Sequence, residues 1–245
     1  MGIKGLAGLL KSHCGGKKSL AKLSHPNTST NVIAVDMNVI MIQALKSPRA
    51  ADEFHQQPPY PPLSCANSCL NYVRRINKID NTRALPVFDG DTSTVWKAAV
   101  AGPTRTHAHK KALNKLRNCL KKESPIDHIA RTELLKDINK HRKGSVKVTA
   151  SVRAQVMTAF DENDIDYLVA PYEADWQIAY LHSEGLVHGI ITTDSDYWAL
   201  IDDPCVIYNL SVATKEAHVC LGDGHPFCGG GRAYQLLLRL RESTI

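Results

Sequence analysis

The 245-residue chain contains no apolar run approaching the roughly 18 residues that a membrane-spanning helix needs. Its first residues, Met1-Gly-Ile-Lys-Gly-Leu6, lack the long apolar core of a signal peptide. Together these absences predict a soluble, intracellular protein without a membrane partner. Cysteine is too sparse and irregular for a disulfide framework: seven residues, at 14, 65, 69, 119, 205, 220 and 228, form an odd set in a chain long enough to dispense with staples, so reduced thiols are expected. There is no internal repeat. A Walker loop, a dinucleotide fingerprint and a nucleophile elbow with its Ser, His and Asp order are also missing, which argues against those nucleotide-binding and acyl-transfer chemistries. Net charge is modest, with 30 basic against 24 acidic residues, +6 in all, and a pI near 8.9. That balance permits a nucleic-acid partner without demanding one. With 43% apolar and 22% charged residues, the chain has a globular composition and enough length for one large α/β domain or two small ones.

The charge is unevenly distributed. Between Lys97 and Lys147 there are 14 Lys or Arg and only four acids, a local balance of +10, which leaves the remainder of the chain at about −4. Such a run is either a solvated helical surface or a phosphate-tracking patch whose binding depends on salt. Within it, Ala108–Lys122 places Leu113, Leu116 and Leu120 at helical spacing among lysines and predicts a helix.

Elsewhere short β-rich runs alternate with helical ones. Strands are predicted at Asn31–Val35, Arg83–Phe88, Asp166–Ala170, Gly189–Thr193 and Val206–Leu210, and helices at Val146–Phe160 and Asp175–Ser183. Arg49–Leu63, with Pro58, Pro59, Pro61 and Pro62, reads as a loop. The alternation predicts an α/β fold, a mainly parallel sheet flanked by helices.

Asp36, Asp89 and Asp194 each stand at the carboxyl end of a predicted strand, and Glu173 follows another across Pro171-Tyr172. In an open α/β sheet those ends face one crevice. Two of the acids have a companion at i+2, giving Glu173-Ala-Asp175 and Asp194-Ser-Asp196. Any one Asp after a strand is commonly a helix cap or a turn residue. Six carboxylates at one rim, however, repel one another unless cations intervene. Oxygen-only sites suit Mg²⁺ or Mn²⁺, and a pair of such ions suits phosphodiester hydrolysis.

These residues resemble a known family, the structure-specific 5′ nucleases that include flap endonuclease and the eukaryotic 5′-to-3′ mismatch-repair exonuclease. The resemblance is carried by Met1-Gly-Ile-Lys-Gly-Leu6, Ile33-Ala-Val-Asp36, Val87-Phe-Asp-Gly90, Asp166-Tyr-Leu-Val-Ala-Pro-Tyr-Glu-Ala-Asp175 and Ile190-Ile-Thr-Thr-Asp-Ser-Asp196, and covers about residues 1–200. Residues 166–196 look most like the exonuclease branch. The resemblance implies a PIN-like nuclease domain with two Mg²⁺ ions, replaceable by Mn²⁺, and DNA bearing a 5′ end, flap, nick or gap. It further implies a nuclear location and repair or replication proteins as partners. Carried over, Asp36, Asp89, Glu173, Asp175, Asp194 and Asp196 become metal-site residues, with Asp223 of Leu221-Gly-Asp-Gly224 as a seventh. Lys97 and Arg105 become the pair addressing the scissile phosphate. They stand eight residues apart rather than the family's seven, and Pro103 between them is expected to break or kink their helix. Gly2, Lys4, Lys110 and Lys111 are the expected DNA contacts. The implied organisation is a single nuclease domain: an N-terminal part (1–96), a basic helical gateway or arch (97–147), an internal part (148–210) and a divergent or truncated C-terminal end (211–245).

The chain also departs from the family pattern. Too few residues follow Asp196 for the family's helix-turn-helix element, which is expected to be truncated or replaced. Thr193 stands where an acid is usual. Trp176 and Trp198 replace smaller or aliphatic residues and read as core packing rather than base-stacking platforms. His218, Cys220, His225 and Cys228 match no standard zinc spacing. Two other readings remain open: a catalytically weak nucleic-acid-binding or scaffold protein on the same fold, and an RNA 5′-end nuclease built on the related fold. The motifs are compatible with both flap endonuclease and exonuclease action.

Overall fold

The computed structural model describes residues 18–19, 30–56, 62–90, 95–122, 127–194, 196–201, 205–211 and 216–221. Gly2, Lys4, Asp223, His225 and Cys228 lie outside them. Among the described residues, seven strands form one sheet: β1 (Lys18–Ser19), β2 (Asn31–Asp36), β3 (Thr82–Phe88), β4 (Leu168–Val169), β5 (Gly189–Ile191), β6 (Cys205–Ser211) and β7 (Glu216–Leu221), in the order β1-β7-β6-β5-β2-β3-β4. From β6 to β4 all neighbours are parallel, whereas β7 runs antiparallel to β6 and β1 antiparallel to β7. The helices are α1 (Met37–Leu45), α2 (Pro48–His55), α3 (Leu63–Asn77), α4 (Val95–Leu120), α5 (His128–Gly144), α6 (Ala150–Asp161), α7 (Ala174–Ser183) and the single turn α8 (Tyr197–Leu200).

The parallel strands are apolar almost throughout. In β2 only Val32 is not fully buried, as a strand between two neighbours in a helix-covered sheet requires. Register pairs Ile33 with Ala84 on one side and with Gly189 on the other. Pro86 in β3 is tolerated because β4 pairs only with Val87 and Phe88, so β3 is an edge at the proline, where a missing N–H does no harm. Chain order reverses at β2: β3 and β4 are added on one side, β5 and β6 on the other. The crevice between the ends of β2 and β5 is therefore the topological switch point, the place where open α/β sheets bind ligands.

Internal contacts divide the chain into two compact units. One comprises the described residues within Met1–Val39, Asn71–Gly90 and Asp166–Ile245 and contains the sheet. Its core joins Ala34, Val87, Ile178, Ile190, Tyr197 and Val206, with α7 packed on β2 and β3. The other comprises the described residues within Ile40–Leu70 and Asp91–Ile165. It holds α2, α4, α5 and α6, with α5 packed against both α2 and α4. Among the described residues Cys65, Cys69, Cys119 and Cys205 are buried and form no disulfide. No helix of the described residues is long and apolar enough to cross a membrane.

Three readings of the sequence need correction. The proline-rich segment is not a loop from Arg49 onward: Pro48 opens α2, and the Ser47 side chain caps it by accepting from the Ala50 N–H at 3.4 Å. A proline at the first helical position has no N–H to waste and a preset φ, so it starts a helix. Pro103 does not break α4, which runs unbroken from Val95 to Leu120. Trp176 is not core: it is 61% exposed on α7, with Tyr172 and Tyr180 also exposed at spacings of four.

Candidate active site

The sheet unit carries all six described acids that the sequence singles out, each near the carboxyl end of a parallel strand. Asp36 is the last residue of β2 and Asp89 follows β3 directly. Glu173 is the N-cap of α7 after β4, and Asp175 lies in that helix's first turn. Asp194 follows β5, and Asp196 is the N-cap of α8.

Local chemistry fixes them. Asp36 is 3% exposed, and its Oδ1 accepts from the backbone N–H groups of Asn38 (3.1 Å) and Val39 (3.4 Å), the second and third residues of α1. The helix-cap reading of a post-strand aspartate is therefore correct for this residue. Its Oδ2 accepts from the Thr192 hydroxyl at 3.0 Å. Asp89 uses Oδ1 to accept from the Ala174 N–H at 2.8 Å, capping α7 from a different strand, and Oδ2 to accept from the Asn38 amide. The Tyr197 hydroxyl donates to Asp175 at 3.1 Å. The Asp196 N–H donates to Asp194 Oδ1 at 3.2 Å.

Gly90 sets the spacing between the Asp89 and Glu173 loops. Its N–H donates to the Tyr172 carbonyl at 2.6 Å. A Cβ there would stand 2.4 Å from the Ala170 carbonyl oxygen and 2.8 Å from that of Pro171, so only glycine fits.

Electrostatics mark the rim as crowded with like charge. The Asp36 carboxyl is pushed up to about 7, chiefly by burial and then by the Asp175 carboxylate, with Asp89 adding to the rise; hydrogen bonds from Thr192 and Val39 oppose it, and no cationic side chain is among these influences. The Tyr197 phenol is pushed well above its ordinary value by burial and by Asp36, Asp175 and Asp194. It therefore remains a hydroxyl donor to Asp175.

Among the described residues no three His, Cys, Asp or Glu side chains close tightly enough to grip an ion. Protein donors engage oxygens of Asp36, Asp89, Asp175 and Asp194, which limits the repulsion among these carboxylates. The donor set nonetheless fits a hard divalent cation: every candidate ligand is a carboxylate oxygen, and the Asp36 anion is disfavoured by burial and then by its acidic neighbours, a cost that a nearby cation would offset.

Of the remaining sequence candidates, Lys97 and Arg105 both fall on α4, where only the backbone is described. Lys110 and Lys111 are exposed on the same helix. Reading the sequence for acids missed the groups that hold them: Asn38, Thr192 and Tyr197. Each lies within two residues of one acid, Asn38 near Asp36, Thr192 near Asp194 and Tyr197 beside Asp196, but its side chain donates to a different, remote one, so no local signal marks it.

Comparison with known proteins bears on the family and the fold. The XPG N-terminal domain model matches residues 1–112 and the XPG I-region model residues 164–223. The chain belongs to this XPG-type family of structure-specific 5′ nucleases. Exonuclease 1 of Xenopus laevis is 47% identical over 55 residues, 22% of this chain and 8% of that protein. Exodeoxyribonuclease 1 of Saccharomyces cerevisiae is 28% identical over 128 residues, 51% of this chain and 16% of that protein. The matches thus span well under a fifth of either relative. In fold, the catalytic core of Rad2 in complex with DNA substrate superposes with a TM-score of 0.57 at 21% identity, over 99% of this chain and 59% of that one. Human GEN1 in complex with Holliday junction DNA gives 0.53 at 16% identity, over 98% and 54%.

Proposed function

We propose that the protein is a divalent-metal-dependent 5′ nuclease that hydrolyses DNA phosphodiesters as a flap endonuclease, a 5′-to-3′ exonuclease or both, in repair, recombination or replication within the nucleus. The observation that carries this reading is the gathering of Asp36, Asp89, Glu173, Asp175, Asp194 and Asp196 at the carboxyl ends of parallel strands around the switch point.

Asp36, Asp89, Glu173, Asp175, Asp194 and Asp196, with Asp223 as a further candidate, would hold two Mg²⁺ ions, or Mn²⁺ in their place. Two such ions, when bound, supply activation of the attacking water and neutralisation of the leaving oxygen. The protein's own part is to hold the acids in place: the α1 amides fix Asp36, Asn38 and the start of α7 fix Asp89, and Tyr197 fixes Asp175. Lys97 and Arg105 would offset charge developing on the phosphate. Gly2, Lys4, Lys110 and Lys111 would contact the DNA backbone.

The test incubates the purified protein with 5′-flap and recessed-end DNA and an RNA counterpart, in Mg²⁺ and in Mn²⁺, beside Asp194→Ala. Metal-dependent cleavage of DNA that Asp194→Ala abolishes supports the reading. Cleavage that survives the substitution overturns it. Nucleic-acid binding that ignores metal, with no cleavage under any divalent ion, identifies a binding protein on a nuclease fold.

A further inference from the structure

The Thr192 hydroxyl occupies a position that the acids alone do not explain. Thr192 is 1% exposed and lies one residue beyond β5, across the switch point from Asp36. Its Oγ1 donates to Asp36 Oδ2 at 3.0 Å and accepts from the Asp194 N–H, also at 3.0 Å. One hydroxyl serves both bonds because it carries one donor and two acceptor lone pairs. The Asp194 Oδ1 in turn accepts from the Asp196 N–H. A hydrogen-bonded series thus runs from the end of β2 through Thr192 into the Asp194-x-Asp196 segment.

We propose that Thr192 is a positioning residue of this site: its buried hydroxyl ties the Asp36 carboxylate to the Asp194 loop and so sets the spacing between acids contributed by two different strands. The inference rests on the proposed nuclease reading and deepens it. The chemistry favours a neutral donor. A Lys or Arg here would satisfy Asp36 with its own charge and compete with a bound cation. A hydroxyl orients the carboxylate and leaves its charge available. Valine has nearly the same shape but would remove both bonds and free Asp36 Oδ2 to turn; serine retains them. Second partners that orient metal ligands in this way typically contribute about 10–100-fold to metal affinity or activity.

The experiment measures Mn²⁺ binding by calorimetry, with no nucleic acid present, on the wild-type chain, Thr192→Val, Thr192→Ser and a remote core control, Ile76→Val, together with thermal melting and DNA cleavage. Thr192→Val is expected to bind Mn²⁺ about 10-fold or more weakly and to cleave more slowly by a similar or larger factor. Thr192→Ser should return both to within about threefold of wild type. Ile76→Val should lower the melting temperature without changing Mn²⁺ affinity. If Thr192→Val folds and binds Mn²⁺ as wild type does, or if serine fails to restore binding, the positioning role is overturned while the nuclease reading stands. A Thr192→Val chain that does not fold shifts the decision to Thr192→Ser against Thr192→Ala, where serine must exceed alanine in Mn²⁺ affinity. A wild-type protein that neither binds Mn²⁺ nor cleaves DNA overturns both readings.

Discussion

Gly90 and Asp36 show how far single atoms decide this rim. A methyl group on Gly90 would lie 2.4 Å from a backbone oxygen, and neither partner is a flexible side chain that can swing away. Gly90→Ala is therefore expected to destabilise by about 3 kcal/mol, the upper part of the range for single substitutions. Gly144→Ala, whose new Cβ would meet only Ala112 Cβ at 3.8 Å, should cost almost nothing. Denaturant unfolding of the two variants checks the contrast. Asp36 makes a pH prediction. Its carboxyl binds a proton more tightly folded (about 7) than at its ordinary value of 3.8, so the stabilisation from protonation is complete below about pH 4 and is lost as pH rises through about 7. In chelator, melting temperature should fall over that window, and Asp36→Asn should flatten the fall. An identical slope in the variant would show that Asp36 is not the titrating group. The acids were legible in the sequence because aspartate at the end of an apolar run is a local signal. Their holders were not. Thr192 meets Asp36 across 156 positions, and nothing local distinguishes it from Thr193 beside it, which is exposed.

At the scale of elements, strands β2, β3, β5 and β6 and helices α6 and α7 could be read from apolar periodicity, to within a few residues at each end. Antiparallel β7 and two-residue β1 escaped because pairing, not composition, makes them strands. Helix α2 escaped because prolines beyond its end masked the one at its start. This helix is held to the end of α5 by the Arg142–Asp52 ion pair and to the residue after it by His55, whose Nε2 lies 2.9 Å from the Ser145 hydroxyl. Burial lowers the His55 imidazole below its ordinary 6.5, outweighing the Arg142 carbonyl and Asp52, which favour the proton; the Arg142 charge adds to the lowering. The folded state resists a proton that the unfolded chain accepts. Stability from this contact is therefore present above about pH 6.5 and lost as pH falls below it. Hydrogen exchange of α2 amides should accelerate on mild acidification, and His55→Gln should remove most of that acceleration. Unchanged acid sensitivity in the variant would assign it to another group, with His109 the next candidate, since its Nδ1 is buried without a partner and its imidazole is also lowered.

Over the whole molecule, a net charge of +6 conceals a division: +10 within residues 97–147 and about −4 elsewhere, with the described acids of the rim in one compact unit and α4 and α5 in the other. If DNA binds as proposed, through the basic helices, its affinity should fall steeply with salt, each neutralised phosphate contact contributing roughly 0.9 to the log–log slope. Lys110→Ala with Lys111→Ala, both exposed positions, is expected to reduce that slope by about 2 and to weaken binding evenly across sequences. Anisotropy titrations at several salt concentrations measure this directly; an unchanged slope removes these lysines from the interface.

The strand order also has a consequence in time. The central strand β2 is completed on one side by β3 and on the other by β5, which begins only at Gly189. At roughly 5–20 residues per second, the ribosome takes on the order of ten seconds to make the 156 residues separating Asp36 from its partner Thr192. Throughout that interval β2 presents an unpaired, apolar edge. Nascent chains stalled before residue 189 should therefore be chaperone-bound or protease-sensitive at β2, and protection should appear abruptly once β5 has emerged.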